Sequence, residues 1–212
     1  MAAPRPESRR RFSRPVFDEH ITVHSDHAQR LIDRGLFRVS SALYAIDVIL
    51  RIIGDDDEMD QVEAIVNELI QAFAQAMSSE QEQLTVLRTQ RGITRVPRYE
   101  APRTLTVHVH SPQMAQYTAL IQSLDQLMIM IDTLWLNGAL TSKQRVNGCF
   151  AWRVRLLRIG REIVNLERRA RASADRQGKA DEVQAETGAT LVVVDHEAAD
   201  AAHPVDAQDA AA

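Results

Sequence analysis

The sequence predicts a mainly α-helical protein, with about four long helices and one short β-strand standing immediately before the third. Three observations lead there. Long stretches carry apolar residues at alternating steps of three and four, the spacing that lines one face of an α-helix. A single segment, residues 103–110, alternates strictly between apolar and polar and so has the period of a strand. Ser, Gly and Pro stand at the boundaries between these segments, where helix ends need them.

The first helix is predicted from Asp26 to Ile53, because Ile32, Leu36, Val39, Leu43, Ile46, Leu50 and Ile53 draw one continuous stripe and Gly54 follows as a terminator. Before it, Val16 to His24 alternates only partly, through Ile21 and Val23, and is a weak candidate strand. Asp55, Asp56, Asp57 and Glu58 resemble a cation site. Acidic side chains at a helix start, however, cap free N–H groups and suit the helix dipole, and capping is the reading adopted. The second helix then carries Val62, Val66, Leu69, Phe73 and Ala76 inward and runs to about Arg88; residues 92–102, with Pro97 and Pro102, connect it onward.

In the strand, Leu105, Val107 and Val109 form an apolar face and Thr104, Thr106, His108 and His110 a polar one. Ser111 and Pro112 open the third helix, 112–136, one residue as cap and the other at the first helical position. Apolar residues on several sides of this helix predict burial on more than one side. Asn137 and Gly138 end it, and Thr141 with Gln144 has the spacing of a capping box for a fourth helix, 142–171.

Charge is unevenly spread. Arg5, Arg9, Arg10, Arg11 and Arg14 oppose Glu7 in a basic arm, 1–15. Nine Lys and Arg oppose Glu162 and Glu167 between residues 141 and 171, a net of +7, whereas 172–212 is Ala-rich with a net of -7. The predicted organisation is therefore a flexible basic arm (1–15), a helical domain (16–171) and an acidic disordered tail (172–212). A basic body with an acidic tail is compatible with a polyanion partner.

A strand's unpaired N–H and C=O groups require a partner. Two solutions are open: pairing with Val16–His24 in the same chain, or antiparallel pairing with the same strand of a second copy in a two-fold dimer. The fold adopted is the second, a two-stranded ribbon in a dimer. Such a ribbon fits a DNA major groove, with Thr104, Thr106, His108 and His110 as base readers. The start of the fourth helix, with Thr141, Ser142, Lys143 and Arg145, is then the candidate phosphate site.

The stretches HSDHAQRL (24–31), GDDDEMD (54–60) and SPQMAQYTALIQSLDQLMIMIDTLWLNGAL (111–140), the last preceded by TLTVHVH, resemble the AcaB-like transcriptional regulators of conjugative plasmids and integrating conjugative elements, a ribbon-helix-helix-related family. The resemblance covers roughly residues 20–170. It implies a bacterial, DNA-binding regulator that acts on double-stranded DNA as a homodimer or higher homo-oligomer.

Enzymatic readings are weaker. Neither the pair His108 and His110 nor the group His20, His24 and His27 has a third ligand at diagnostic spacing, so no metal is expected. Cys149 lies beside Phe150 and Trp152 and reads as a small core residue. No phosphate-cradling glycine loop or nucleophile elbow is present, and no cofactor is expected. With a lone cysteine and no apolar run long enough for a span or signal, the expected compartment is the bacterial cytoplasm, with no membrane partner. The alternative to a DNA-binding regulator is a non-enzymatic helical structural or interaction subunit of an integrating conjugative element.

Overall fold

The structure is a computed structural model that describes residues 15–54, 56–188 and 194–195. Its elements are β1 (Phe17–Val23), α1 (Asp26–Leu31), a π-helical turn (Ile32–Leu36), α2 (Phe37–Ile53), α3 (Asp56–Gln90), β2 (Arg103–Val109), α4 (Pro112–Leu136), α5 (Ser142–Arg176), α6 (Ala180–Thr187) and β3 (Val194–Asp195). The chain is mainly helical, with a small antiparallel sheet.

The strand partner differs from the expectation of a dimer ribbon. β1 pairs antiparallel with β2 inside one chain, from Phe17 opposite Val109 to Val23 opposite Arg103. The other edge of β2 is met at Thr106 and Val107 by β3. Pairing within the chain wins because Ile21 and Val23 complete the apolar face begun by Leu105, Val107 and Val109, and all five are buried. The weakly alternating segment before the first helix therefore supplies what a second copy was expected to provide.

A duplication underlies this arrangement. His20 and Thr106, paired across the ribbon, are 86 residues apart, and every major element of the first half recurs at that offset. Phe17–Val23 matches Arg103–Val109, the helix start Asp26 matches Pro112, and the helix Asp56–Gln90 matches Ser142–Arg176. Val23-His24-Ser25 recurs as Val109-His110-Ser111, and both serines cap, each accepting a backbone N–H at 3.2 Å, from Ala28 and from Met114. Core positions also coincide: Val66 with Trp152, Ile70 with Leu156 and Met77 with Ile163 are all buried. The chain is thus two strand-helix-helix units related by a pseudo-two-fold axis through His20 and Thr106.

The halves interlock. α2 packs chiefly against α5, and α3 chiefly against α4, so each half lays its first long helix against the second helix of the other. α4 is apolar and long enough to cross a membrane by length and composition. Here its Leu120, Ile121, Leu124, Leu127, Met128 and Ile131 are core residues, and α3, α5 and the sheet lie against it. The halves differ at the π-helical turn, which has no counterpart in α4; its Asp33 pairs with Arg103 at the start of β2.

The helical body extends past residue 171, where the acidic tail was expected to begin. α5 continues to Arg176, Gly178 turns the chain with φ 72°, and α6 returns against α2. Ala174 and Val183 are buried with Ala45, Ile49 and Ile53, and the Lys179 ammonium donates to the carbonyls of Ile52 and Ile53, orphan acceptors at the end of α2. Apolar burial and helix capping together order a segment whose composition alone suggested disorder. The arm before residue 15 and the tail beyond residue 195 lie outside the described residues.

Candidate nucleic-acid interface

Strand alternation puts Asp18, His20 and Thr22 of β1 on the outer face with Thr104, Thr106 and His108 of β2. The six form three cross-strand pairs: His108 Nδ1 with Asp18 Oδ1 at 2.6 Å, Thr106 Oγ1 with His20 Nδ1 at 3.0 Å, and Thr22 Oγ1 with Thr104 Oγ1 at 3.0 Å. The result is a narrow band of donors and acceptors, exposed along β1 and half-buried at Thr106 and His108. His110 is not part of it. The strand ends at Val109, and the His110 ring turns edge-on to Tyr44 of α2, with centroids 5.6 Å apart.

The start of α5 is built as its sequence suggested, but its side chains are largely engaged. Thr141 Oγ1 accepts the Gln144 N–H at 3.2 Å while Gln144 Oε1 accepts the Thr141 N–H at 2.8 Å, a reciprocal capping box. Ser142 Oγ accepts the indole N–H of Trp135 at 3.2 Å. Arg145 donates to Asp132 and lies over the Trp135 ring at 4.3 Å, and its bond to Asp132 raises its pKa despite the opposing effect of burial. Lys143 is exposed, and the amides of Ser142 and Lys143 stand at the helix start, where the helix itself offers no acceptor.

Behind the ribbon is a polar network that the pattern reading passed over. Asp125, in the middle of α4, is 1% exposed. Its carboxylate accepts the backbone N–H of His24 at 2.9 Å and that of Ser25 at 2.7 Å, and it meets His24 Nδ1 at 2.9 Å. One α4 carboxylate therefore fastens the junction between β1 and α1. Two turns on, Asp132 accepts from the Tyr99 hydroxyl at 2.7 Å as well as from Arg145. Burial, then this bond to Asp132, raises the Tyr99 pKa. Burial likewise pushes the Cys149 thiol up to about 11, which leaves it an unreactive core group. The signal was present: the two aspartates, seven residues apart and the only charged residues of α4, share a face and require partners.

Among the described residues no group of three or more His, Cys, Asp or Glu is arranged to hold a metal. His20 bonds Thr106 and His24 bonds Asp125, while His27 lies near Arg153, whose charge joins burial in lowering its pKa.

No protein-family model and no curated protein matches the chain. A solved structure does: the crystal structure of selenomethionine-containing AcaB from uropathogenic E. coli matches with a TM-score of 0.81 and 43% sequence identity, over 85% of this chain and 93% of that one. The chain belongs to the AcaB family. The match spans nearly the whole of that protein. In this AcaB-family chain the two halves nevertheless carry opposite charge: α3 holds eight acidic residues and one basic, whereas α5 holds ten basic and three acidic.

Proposed function

We propose that this AcaB-family protein is a transcription regulator of a bacterial mobile or conjugative element, acting in the cytoplasm without catalysis, and that its β-ribbon enters the DNA major groove. The carrying observation is the duplicated strand-helix-helix unit with its strands paired antiparallel and a polar outer face. This is the arrangement that two chains of a ribbon-helix-helix dimer build together, achieved within one chain. A major groove admits a two-stranded ribbon, and Thr and His side chains supply donors and acceptors for base edges. Thr104, Thr106 and His108 are the proposed readers on β2, joined by Asp18, His20 and Thr22 on β1.

Phosphates are assigned to the α5 start, through Lys143 and the amides of Ser142 and Lys143, with Thr141 and Arg145 holding that helix end in place. An anion at a helix N-terminus meets both free amides and a favourable dipole. Self-association is assigned to Leu136, Val146 and Phe150, large apolar side chains left exposed around the α4–α5 turn.

The test is fluorescence anisotropy with DNA from upstream of the host element's genes, over a salt series. Thr106→Ala and His108→Ala are expected to weaken specific binding by about 1–3 kcal/mol and relax discrimination. Lys143→Ala is expected to weaken all duplexes alike and make the salt slope shallower by about 0.9. A folded Thr106→Ala, His108→Ala double variant with unchanged affinity and specificity would refute the readout face. It would favour the second reading, a helical interaction subunit, for which the supporting observation is that all three proposed β2 readers are already hydrogen-bonded to β1.

A further inference from the structure

A groove of about 500 Å³ lies between the π-helical turn and α2 on one side and α5 on the other. Arg34 and Arg38 stand on the first wall and Arg161 and Arg168 on the second, and no Asp or Glu lines the space. Among the described residues none of these four guanidinium groups has an ion-pair partner; Arg161 donates to the Leu157 carbonyl of its own helix at 3.4 Å. Four like charges gathered around one concavity repel one another unless an anion joins them.

The floor adds a second, independent sign. It is largely apolar, formed by Val39, Leu157 and Val164, with the Tyr117 hydroxyl and the Asn165 side chain as its polar groups besides the arginines. Tyr117 is 2% exposed, and its hydroxyl has no hydrogen-bond partner among the described residues. The hydroxyl opens onto the groove, where a ligand group can take its hydrogen bond in place of water. Gly160 lets α5 pack closely on α2 beneath the groove: a Cβ there would come within 2.8 Å of Val39 Cγ2 and 3.1 Å of the Tyr117 hydroxyl.

The duplication shows that the basic rim is not inherited from the fold. At the 86-residue offset, Arg34 and Arg38 correspond to Leu120 and Leu124, and Arg161 and Arg168 correspond to Gln75 and Glu82. Tyr117 corresponds to Leu31. The same architecture stands in the other half without one of these charges or the phenol.

We propose that this groove binds a mononucleotide, its phosphate held by the arginine rim and its ring laid on the apolar floor within reach of the Tyr117 hydroxyl. The volume is in the range of small-molecule sites, and guanidinium groups both grip phosphate bidentately and stack on flat rings. The site is separate from the ribbon and does not depend on its role in DNA binding.

The experiment is calorimetric titration of the full chain with AMP, GMP, CMP and UMP, beside inorganic pyrophosphate and a nonspecific DNA duplex, at fixed salt. At least one nucleotide is expected to bind one-to-one and at least tenfold more tightly than pyrophosphate. An Arg34→Gln, Arg168→Gln double variant, both side chains being exposed, should keep the thermal midpoint and lose at least tenfold in nucleotide affinity; Tyr117→Phe should lose severalfold. Three results would overturn the proposal: no saturable binding of any of the four nucleotides, equal affinity for pyrophosphate, or nucleotide affinity unchanged in the double variant. Loss of duplex binding in that variant, with no nucleotide bound by the parent, would assign the groove to the DNA backbone instead.

Discussion

Asp125→Ala is expected to be among the most damaging single polar substitutions in this protein. The carboxylate is buried and takes two backbone donors, the N–H groups of His24 and Ser25, in addition to the His24 ring. Hydrogen bonds to a charged group are each worth about 1.5–3 kcal/mol, and Ser25, 2% exposed, leaves its N–H without water to replace the carboxylate. The expected loss is therefore about 3–5 kcal/mol, the range seen when one member of a buried charged pair is deleted. Asp125→Asn keeps one acceptor oxygen but turns an amide N–H toward the other donor, so roughly half the loss is expected. Asp26→Ala provides the control, because the Asp26–Arg30 pair is an exposed helix pair worth at most about 0.5 kcal/mol. Urea unfolding at neutral pH, monitored by circular dichroism and analysed at constant slope, measures all three. If Asp125→Ala lies within about 1 kcal/mol of the parent, the carboxylate does not hold the junction and the reasoning fails.

Burial and the nearby Arg153 lower the His27 pKa from 6.5, so as pH falls below that value the unfolded chain takes up a proton that the folded chain resists, and stability falls. His27→Gln, which installs the residue found at the counterpart position Gln113, should flatten the stability profile between about pH 5 and 7 in a urea series; an unaltered slope would contradict it. Gly160→Ala places a methyl group 2.8 Å from Val39 Cγ2 and should destabilise by about 1–3 kcal/mol despite better helix propensity, with partial rescue by Val39→Ala; the midpoint of thermal unfolding decides. Truncation after Ala172 strips Ala174 and Val183 from Ala45, Ile49 and Ile53 and should cost roughly 3–6 kcal/mol, where an unchanged midpoint would show that α6 contributes nothing. If the ribbon reads DNA, the unequal strands Asp18-His20-Thr22 and Thr104-Thr106-His108 should yield a non-palindromic site per chain; selection from a random library that returned a symmetric site for a one-to-one complex would contradict this.

The long helices were legible because burial on one face leaves a period in the sequence, and the stripe from Ile32 to Ile53 needed no tertiary information. The strand at residues 103–109 was legible for the same reason. Its partner was not, because β1 is interrupted by Glu19 and exposes Phe17, which leaves only Ile21 and Val23 to show the period. The duplication was hidden by divergence: pattern reading compares a residue with its near neighbours, whereas the recurrence of Val-His-Ser lies 86 residues away. Composition misjudged residues 172–188 because two buried side chains and one lysine reaching the end of α2 are enough to order an otherwise polar segment. At the candidate interface alternation places Thr104, Thr106 and His108 on the outer face that the structure also shows, but it does not reach His110, because the strand ends at Val109.

A duplicated fold within one chain permits what a homodimer cannot, a buried polar anchor used once. The counterparts of Asp125 and Asp132 are Val39 and Ile46, both buried and apolar. In a symmetric pair of chains each carboxylate would occur twice and would need its donors twice, at a desolvation cost that rises with each buried charge. Here the two strand-to-helix junctions are held by different means: His24 and Ser25 by hydrogen bonds to Asp125, and His110 by its edge-on contact with Tyr44. The same freedom let α3 become acidic and α5 basic while their core positions stayed apolar. Core residues are constrained by the packing of α2 on α5 and α3 on α4, which the pseudo-two-fold axis makes nearly equivalent. Solvent-facing residues carry no such constraint, so positive charge is concentrated on α5 and negative charge on α3 of a fold whose backbone remains almost symmetric.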